Sequence, residues 1–465
     1  MGVVVSEGSF AMARDWLALF ADTGAELTCV EAIRARHARG EHHYDGPLPD
    51  AVLFPTSIDQ VCQTVDICRK AQIPIIPFGA GTSIEGGVTA PAGGLCLDLS
   101  RMNRILKLRP EDQDATVEAG VTRLQLNAQL RDSGYFFPVD PGADATLGGM
   151  AETRASGTNA VRYGTMRENV VSTTIVTGNA QIVRTAGRAR KSSAGYDLTR
   201  LIVGSEGTLG IIVDLTVRLH AIPEAMSVAR CCFADLRTAV ECVTMLVQLG
   251  ISASRIEFLD EIAIAACNRD NRLDLPERIT LFIELAGAPH AVQSETRVLA
   301  QVAAENGAEA VHWASDPDGR QALWRARHAA YHSCLRLMPG SPAFSSDVCV
   351  PISGLPDCVA QTRRDIDREG LLATIAGHVG DGNFHVLFLP DPKEAGQVTA
   401  ARGIYDRLVS RAIAMGGTCS GEHGIGTSKR LKLIEEHGEA GVAMMRAIKS
   451  ALDPHGILNP GKVLP

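Results

Sequence analysis

His378 and His385, in Gly377-His378-Val379-Gly380-Asp381-Gly382-Asn383-Phe384-His385, are the residues best placed by type and spacing to do chemistry, together with Glu422 and His423 in Gly421-Glu422-His423-Gly424. Asp381-Gly382 is a tight-turn dipeptide between two apolar runs, around Leu371 to Ile375 and Phe384 to Leu389. A hairpin closing there makes the two histidines cross-strand neighbours, with Cβ atoms roughly 4.5–5.5 Å apart. Two imidazoles at that distance can share a divalent metal. Glu422 offers a third, carboxylate ligand, and His423 beside it is left as a base. Two histidines and one glutamate leave metal positions open, as catalysis requires and structural zinc sites do not allow. The plain alternative is a core hairpin, since most histidines in a soluble protein bind no metal and this chain has 13. Six glycines (377, 380, 382, 421, 424, 426) crowd these residues, however, and glycine costs backbone entropy unless the chain must bend or approach something closely.

Those residues need a large scaffold. The 465 residues suggest two or three domains, and 45% hydrophobic with 21% charged residues is ordinary for a soluble globular chain. A net charge of −8 argues against a nucleic-acid partner, which needs a basic face. No run of some 18 apolar residues marks a transmembrane helix, and the N-terminus lacks a secretory or transit pattern. Met1-Gly2 with Ser6 fits the loose myristoylation pattern, a short one with many accidental matches. None of the twelve cysteines forms a C-x-x-C pair, so the usual iron–sulfur and zinc-ribbon patterns are absent. They read as small core hydrophobes in a reducing compartment, which points to a cytoplasmic setting; peripheral membrane contact has no clear sequence support.

Along the chain, Ser57 opens a helix over 57–71 with Ile58, Val61, Cys62, Val65 and Cys68 on one face. Ile73 to Ile76 reads as a short buried strand running into Pro77-Phe78-Gly79-Ala80-Gly81-Thr82-Ser83. A strand delivering such a loop is the architecture of a phosphate cradle, because successive bare N–H groups form an anion nest. Further glycine-rich loops run from Asp140 through Gly142 and Thr146 to Gly149, from Thr153 through Ser156 and Gly157 to Gly164, and from Gly204 through Glu206 to Gly210. Gly178-Asn179 marks a hairpin between Val170 and Val183, and Ile211 to Leu219 reads as a strand. Loops of this kind, each beside a strand pattern, fit one large multi-phosphate cofactor lying across a sheet edge. Gly456 to Lys462 imitates a nucleotide P-loop, but Val463 stands where the Ser or Thr belongs. Past Pro223, strands at 228–233, 254–258 and 279–285 alternate with helices at 235–249, from 260, and at 290–306, suggesting a separate α+β unit. The last segment is too rich in turn residues to be core and should pack back on an earlier domain.

These motifs together resemble the FAD-dependent vanillyl-alcohol oxidase superfamily, in the branch with D-lactate and D-2-hydroxyglutarate dehydrogenases and the glycolate oxidase FAD subunit. The carriers are Pro77 to Ser83, Pro138 to Asp144, Ala155 to Gly164, Gly204 to Gly210, Arg255-Ile-Glu-Phe-Leu-Asp260, Gly377 to His385, Gly421 to Gly426 and Leu458-Asn-Pro-Gly-Lys462. The resemblance runs from about residue 45 to the end. It implies an α+β fold: a PCMH-type FAD-binding domain of two subdomains over 47–224, a cap domain with an antiparallel sheet and flanking helices over 225–450, and a tail, 451–465, returning to the FAD domain. Residues 1–46 would form an N-terminal helical segment. Pro77, Phe78, Gly79, Ala80, Gly81, Thr82 and Ser83 would cradle the pyrophosphate. Gly142, Thr146, Gly149, Thr153, Ser156, Gly157, Glu206, Gly210 and Ile211 would contact the rest of the cofactor, with Asn459 near the flavin ring. No histidine stands in the first loop, so the FAD is expected to be noncovalent.

The resemblance also implies an activity, the FAD-dependent oxidation of D-2-hydroxy acids to 2-oxo acids with hydride transfer to flavin N5. His378, His385 and Glu422 would hold zinc or manganese, His423 would take the hydroxyl proton, and Arg327, in Trp324-Arg-Ala-Arg327, would pair with the substrate carboxylate. A helix-surface salt bridge is the alternative for Arg327. Two departures bear on substrate. D-2-hydroxyglutarate enzymes carry a lysine where this chain has Ser345 and an asparagine where it has Leu387, so the groups that would grip a distal carboxylate are missing. D-lactate or a similar monocarboxylate is favoured over D-2-hydroxyglutarate or glycolate. No haem-attachment motif is present, so electrons must leave to cytochrome c, a quinone or an electron-transfer flavoprotein. Two competing readings are an alkylglycerone-phosphate-synthase-like flavoenzyme, which shares the segment from Thr153 to Gly157, and a metal-dependent hydrolase, which leaves the first half of the chain unexplained.

Overall fold

The computed structural model describes residues 15–41, 46–314 and 316–465; the myristoylation pattern and much of the expected N-terminal segment lie outside them. The chain divides into two compact units: residues 1–155, 165–221 and 422–465 form the first, and 156–164 with 222–421 the second. The sequence reading carries the second domain to residue 450, whereas the second unit ends at Gly421.

The first unit contains two main sheets. In one, β1 (Glu26–Thr28), β2 (Ala51–Phe54), β3 (Ile75–Phe78) and β4 (Leu95–Asp98) lie in the order β1-β2-β4-β3, with β2, β4 and β3 parallel. The helix Ile58–Ala71 links β2 to β3. Ser57 Oγ accepts from Gln60 N at its start, Val61, Thr64, Val65 and Cys68 form its buried stripe, and Gln72 ends it in the left-handed conformation. The other sheet is antiparallel. It comprises β5 (Ile105–Arg109), β6 (Asp114–Glu118), β8 (Val170–Val176), β9 (Ile182–Arg184) and β10 (Ile211–Arg218), ordered β5-β6-β10-β8-β9. A small ribbon pairs β7 (Tyr135–Phe136) with β11 (His220–Ala221). The hairpin expected around Gly178-Asn179 is β8–β9. One apolar cluster runs through both sheets and includes Ile457 and Leu458. The tail is thus partly core, contrary to its turn-rich composition: Ile75 N donates to Ile457 O and Asn459 N to Ile75 O, extending the β3 edge.

The second unit is built on an antiparallel sheet of β12 (Ala225–Phe233), β13 (Ala253–Leu259), β14 (Ile279–Gly287), β15 (Ala310–Ala314), β16 (Phe344–Ser345), β18 (Ala373–Gly377) and β19 (Asn383–Phe388). Their order is β15-β12-β14-β13-β18-β19-β16, and β17 (Val348–Cys349) also pairs with β19. Helices 236–248, 261–271 and 289–305 separate the first strands, matching the expected alternation. Residues 156–164 group with this unit through Arg162, whose Nη1 donates to Ser252 O at 2.9 Å. All twelve cysteines are unbridged and most are buried. No helix among the described residues is long and apolar enough to cross a membrane.

Candidate active site

In the second unit the β18–β19 hairpin brings His378 and His385 together, with ring centroids 5.5 Å apart. They are not directly opposed. The register pairs His385 with Ala376, so His378 is a diagonal neighbour. The connection is a 3-10 turn, Val379–Asp381, closed by Gly382 at φ 80°, rather than a two-residue turn at Asp381-Gly382. Both rings are oriented from behind. His378 Nδ1 lies 2.8 Å from Glu257 Oε1, and His385 Nδ1 lies 3.2 Å from Ser346 O and 3.6 Å from Asp347 Oδ1. Acceptors at Nδ1 put the ring proton there and make Nε2 the lone-pair atom, the tautomer of a metal-ligating histidine.

Glu257 and Asp347, both fully buried, are the groups that sequence reasoning did not single out. Glu257 is shared: its Oε2 accepts from Arg327 Nε at 2.8 Å and lies 2.7 Å from Arg327 Nη2. Arg327 is therefore half-buried, its guanidinium paired with a fully buried carboxylate rather than with a group on the helix surface. Its helix, Pro317–Leu335, is fixed by Trp324, whose Nε1 donates to Glu284 Oε2 at 2.8 Å. Asp347 accepts from Asn383 Nδ2 at 2.9 Å and Ser420 Oγ at 3.0 Å, and its main-chain oxygen accepts from Gly421 N. The available signal for Glu257 was a charge set between the apolar Ile256 and Phe258 of a strand whose other polar residues are Ser254 and Arg255.

Glu422 and His423 begin the segment by which the chain re-enters the first unit, and Glu422 Oε1 lies 3.7 Å from His423 Nε2. In that unit the loop after β3 has a set of unused donors. No N–H of residues 79–83 donates a hydrogen bond among the described residues, which suits a phosphate-bearing ligand. Gly79 packs so closely on Thr146 that an added Cβ would stand 2.3 Å from Thr146 Oγ1, the atom that caps the helix Leu147–Thr153 by accepting from Gly149 N. Gly142 is exposed, Thr153 ends that helix, and Ser156 and Gly157 belong to the second unit. Gly210 and Ile211 lead into β10. Glu206, buried and at φ 53°, accepts from Ile425 N and Gly426 N; burial pushes its carboxyl up to about 7 against those two bonds. Asn459 is buried and its Nδ2 donates to Glu206 O at 2.7 Å.

The sequence pattern of the FAD-linked oxidase C-terminal domain matches residues 222–463, and that of an FAD binding domain matches residues 49–186. The chain belongs to the FAD-linked oxidase family. Its cofactor is FAD, and it is an oxidoreductase. Among its relatives is a probable mitochondrial D-lactate dehydrogenase of Danio rerio, 48% identical over 95% of this chain and 90% of the relative. A mitochondrial D-lactate dehydrogenase [cytochrome] of Arabidopsis thaliana is 43% identical over 90% of this chain and 74% of its own. The solved structure of p-cresol methylhydroxylase shares the fold, with a TM-score of 0.79 at 19% identity, covering 96% of this chain and 95% of that one. For an FAD-linked oxidase the Gly79–Thr146 contact has a testable consequence. Gly79→Val should lower the flavin-to-protein absorbance ratio at least tenfold by displacing the loop. Gly187→Ala, where nothing lies within 4 Å of the added Cβ, should leave the ratio unchanged.

Proposed function

We propose that this FAD-linked oxidase oxidises D-lactate, or a similar D-2-hydroxy monocarboxylate, to the 2-oxo acid. The observation that carries the reading is the His378–His385 pair, each ring backed by an acceptor at Nδ1, with Arg327 anchored to the same glutamate as His378. The D-lactate dehydrogenase relatives supply the substrate class and the chirality.

His378 and His385 would ligate zinc or manganese through Nε2. Glu422 would be the third ligand, as the family resemblance implies. Bound FAD supplies a two-electron acceptor, and a bound divalent ion supplies Lewis acidity toward the α-hydroxyl. Arg327 spends two of its five N–H donors on Glu257 and turns the others to the substrate carboxylate. His423 takes the hydroxyl proton on its ring. The balance is one 2-hydroxy acid giving one 2-oxo acid, two protons and two electrons, the electrons passing on to cytochrome c or another external acceptor.

Ser345 and Leu387, the two departures from the D-2-hydroxyglutarate pattern, are direct cross-strand partners on β16 and β19, and Leu387 sits in an apolar cluster with Trp324, Ala330 and Cys334. The position that would hold a distal carboxylate is therefore apolar. The double variant Ser345→Lys/Leu387→Asn should raise kcat/KM for D-2-hydroxyglutarate about tenfold or more, the worth of one charge-assisted hydrogen bond, and lower it for D-lactate. Unchanged selectivity would separate these positions from substrate choice. The proposal itself is tested by anaerobic flavin reduction with D- and L-2-hydroxy acids of increasing side-chain size. D-lactate should react fastest. Faster reduction by D-2-hydroxyglutarate, glycolate or L-lactate would overturn the assignment.

A further inference from the structure

Lys462 and Asn459, in the tail that completes the β3 edge, are buried polar groups that the chain itself leaves partly unmatched. Lys462 is the lysine of the motif that imitates a P-loop, and it is 3% exposed. Its Nζ donates to Thr89 O at 2.7 Å, which uses one of its three N–H donors. No carboxylate among the described residues pairs with it. Glu206, whose charge acts on it, spends its oxygens on Ile425 N and Gly426 N. Burial pushes the ammonium down to about 8, so it stays charged at neutral pH.

Asn459 holds the complementary acceptor. Its Nδ2 donates to Glu206 O at 2.7 Å and to Gly87 O at 3.4 Å, which fixes the orientation of the amide. Oδ1 then faces away from both carbonyls, and it is buried without a hydrogen-bond partner. The two side chains, three positions apart, clasp one loop at Gly87 and Thr89.

A buried charge with one carbonyl partner and a buried orphan acceptor are both costly, unless a ligand supplies their complements. FAD is the cofactor of this family. Its phosphates need donors, which residues 79–83 leave unused, and they have no hydrogen to give Asn459 Oδ1. The pyrimidine edge of the flavin ring offers both kinds of group: N3–H donates and the adjacent C2=O accepts. Only on the ring does negative charge grow as the flavin is reduced, and it grows along N1–C2=O, where a nearby charge tunes the cofactor.

We infer that Lys462 tunes the flavin: its ammonium donates to the C2=O side of the ring's pyrimidine edge, beside an N3–H accepted by Asn459 Oδ1, and favours the reduced state. This rests on the FAD assignment and not on the choice of substrate.

The test measures flavin content and the flavin midpoint potential, against reference dyes, for the purified protein and for Lys462→Met, Lys462→Arg and Asn459→Ala. Lys462→Met should weaken the hold on reduced relative to oxidised flavin about tenfold, the worth of one charge-assisted hydrogen bond. For a two-electron couple that lowers the potential by about 30 mV. Lys462→Arg keeps the charge and should recover most of the fall. Asn459→Ala removes a contact that both redox states keep, so flavin content should drop while the potential stays near the wild-type value. A wild-type potential in Lys462→Met, with or without loss of FAD, would overturn the inference and leave the ammonium to the adenylate half of the cofactor or to the loop alone. An equal fall in Asn459→Ala would overturn it as well, by marking a general disturbance of the tail. Should Lys462→Met fail to fold with Thr89 O unmatched, Lys462→Gln keeps a donor without the charge and must show the same fall.

Discussion

Replacing Glu257 with glutamine is expected to slow flavin reduction by D-lactate at least a hundredfold while the flavin stays bound. The fully buried Glu257 carboxylate accepts from Arg327 on one oxygen and from His378 on the other. An amide keeps the shape but offers one acceptor, and its NH2 would then face either the guanidinium or the His378 Nδ1–H. Both groups proposed to meet the substrate's polar end lose alignment at once, so kcat should fall and KM rise together. Glu257→Ala should also cost stability, about 3–5 kcal/mol for breaking a buried ion pair, read as a fall in Tm. The residues expected to cradle FAD lie in part in the first unit, which is why flavin content separates a local effect from a collapse of the fold. A wild-type reduction rate in Glu257→Gln would remove both Arg327 and the orientation of His378 from the account.

The second large effect is expected at the proposed ion. His378→Ala or Glu422→Ala should lower turnover by more than 10³-fold, with flavin content unchanged and metal content reduced to a small fraction of one equivalent by elemental analysis. Each change removes one of three proposed protein ligands, and a pair holds a divalent ion far less tightly than three. His385→Ala should behave in the same way. Asp347→Asn is expected to act more weakly, because Asp347 reaches His385 only at 3.6 Å and Ser346 O shares that task. Retained turnover in a metal-stripped variant would take the ion out of the chemistry.

Much of the scaffold was legible because its signals are local. Ser57 and the 61, 65, 68 stripe define a helix within one stretch of chain, and the run from Ile75 into Gly79 defines a strand and its loop. The hairpin carrying the histidines was legible for the same reason. Its register was not: a three-residue helical turn before Gly382 shifts the pairing by two, and the dipeptide Asp381-Gly382 suits either closure. Glu257 stayed hidden as the partner of His378 and Arg327 because strand order decides that contact, and β13 pairs with β18 across more than a hundred residues of intervening chain. The departures at Ser345 and Leu387 could be read singly, but their pairing across β16 and β19 could not. The tail packs back on the first unit as expected, but Ile457 and Leu458 were left out of the core because the turn residues around them obscure two apolar side chains that complete the β3 edge.

The most direct measurement is an anaerobic absorbance titration of the purified, flavin-loaded protein with D-lactate, before and after treatment with a chelator. The account predicts that D-lactate bleaches the flavin band, that chelated protein keeps its flavin but no longer bleaches, and that added zinc or manganese restores the reaction. Full-rate bleaching without any divalent ion, or none with both flavin and ion bound, would contradict it.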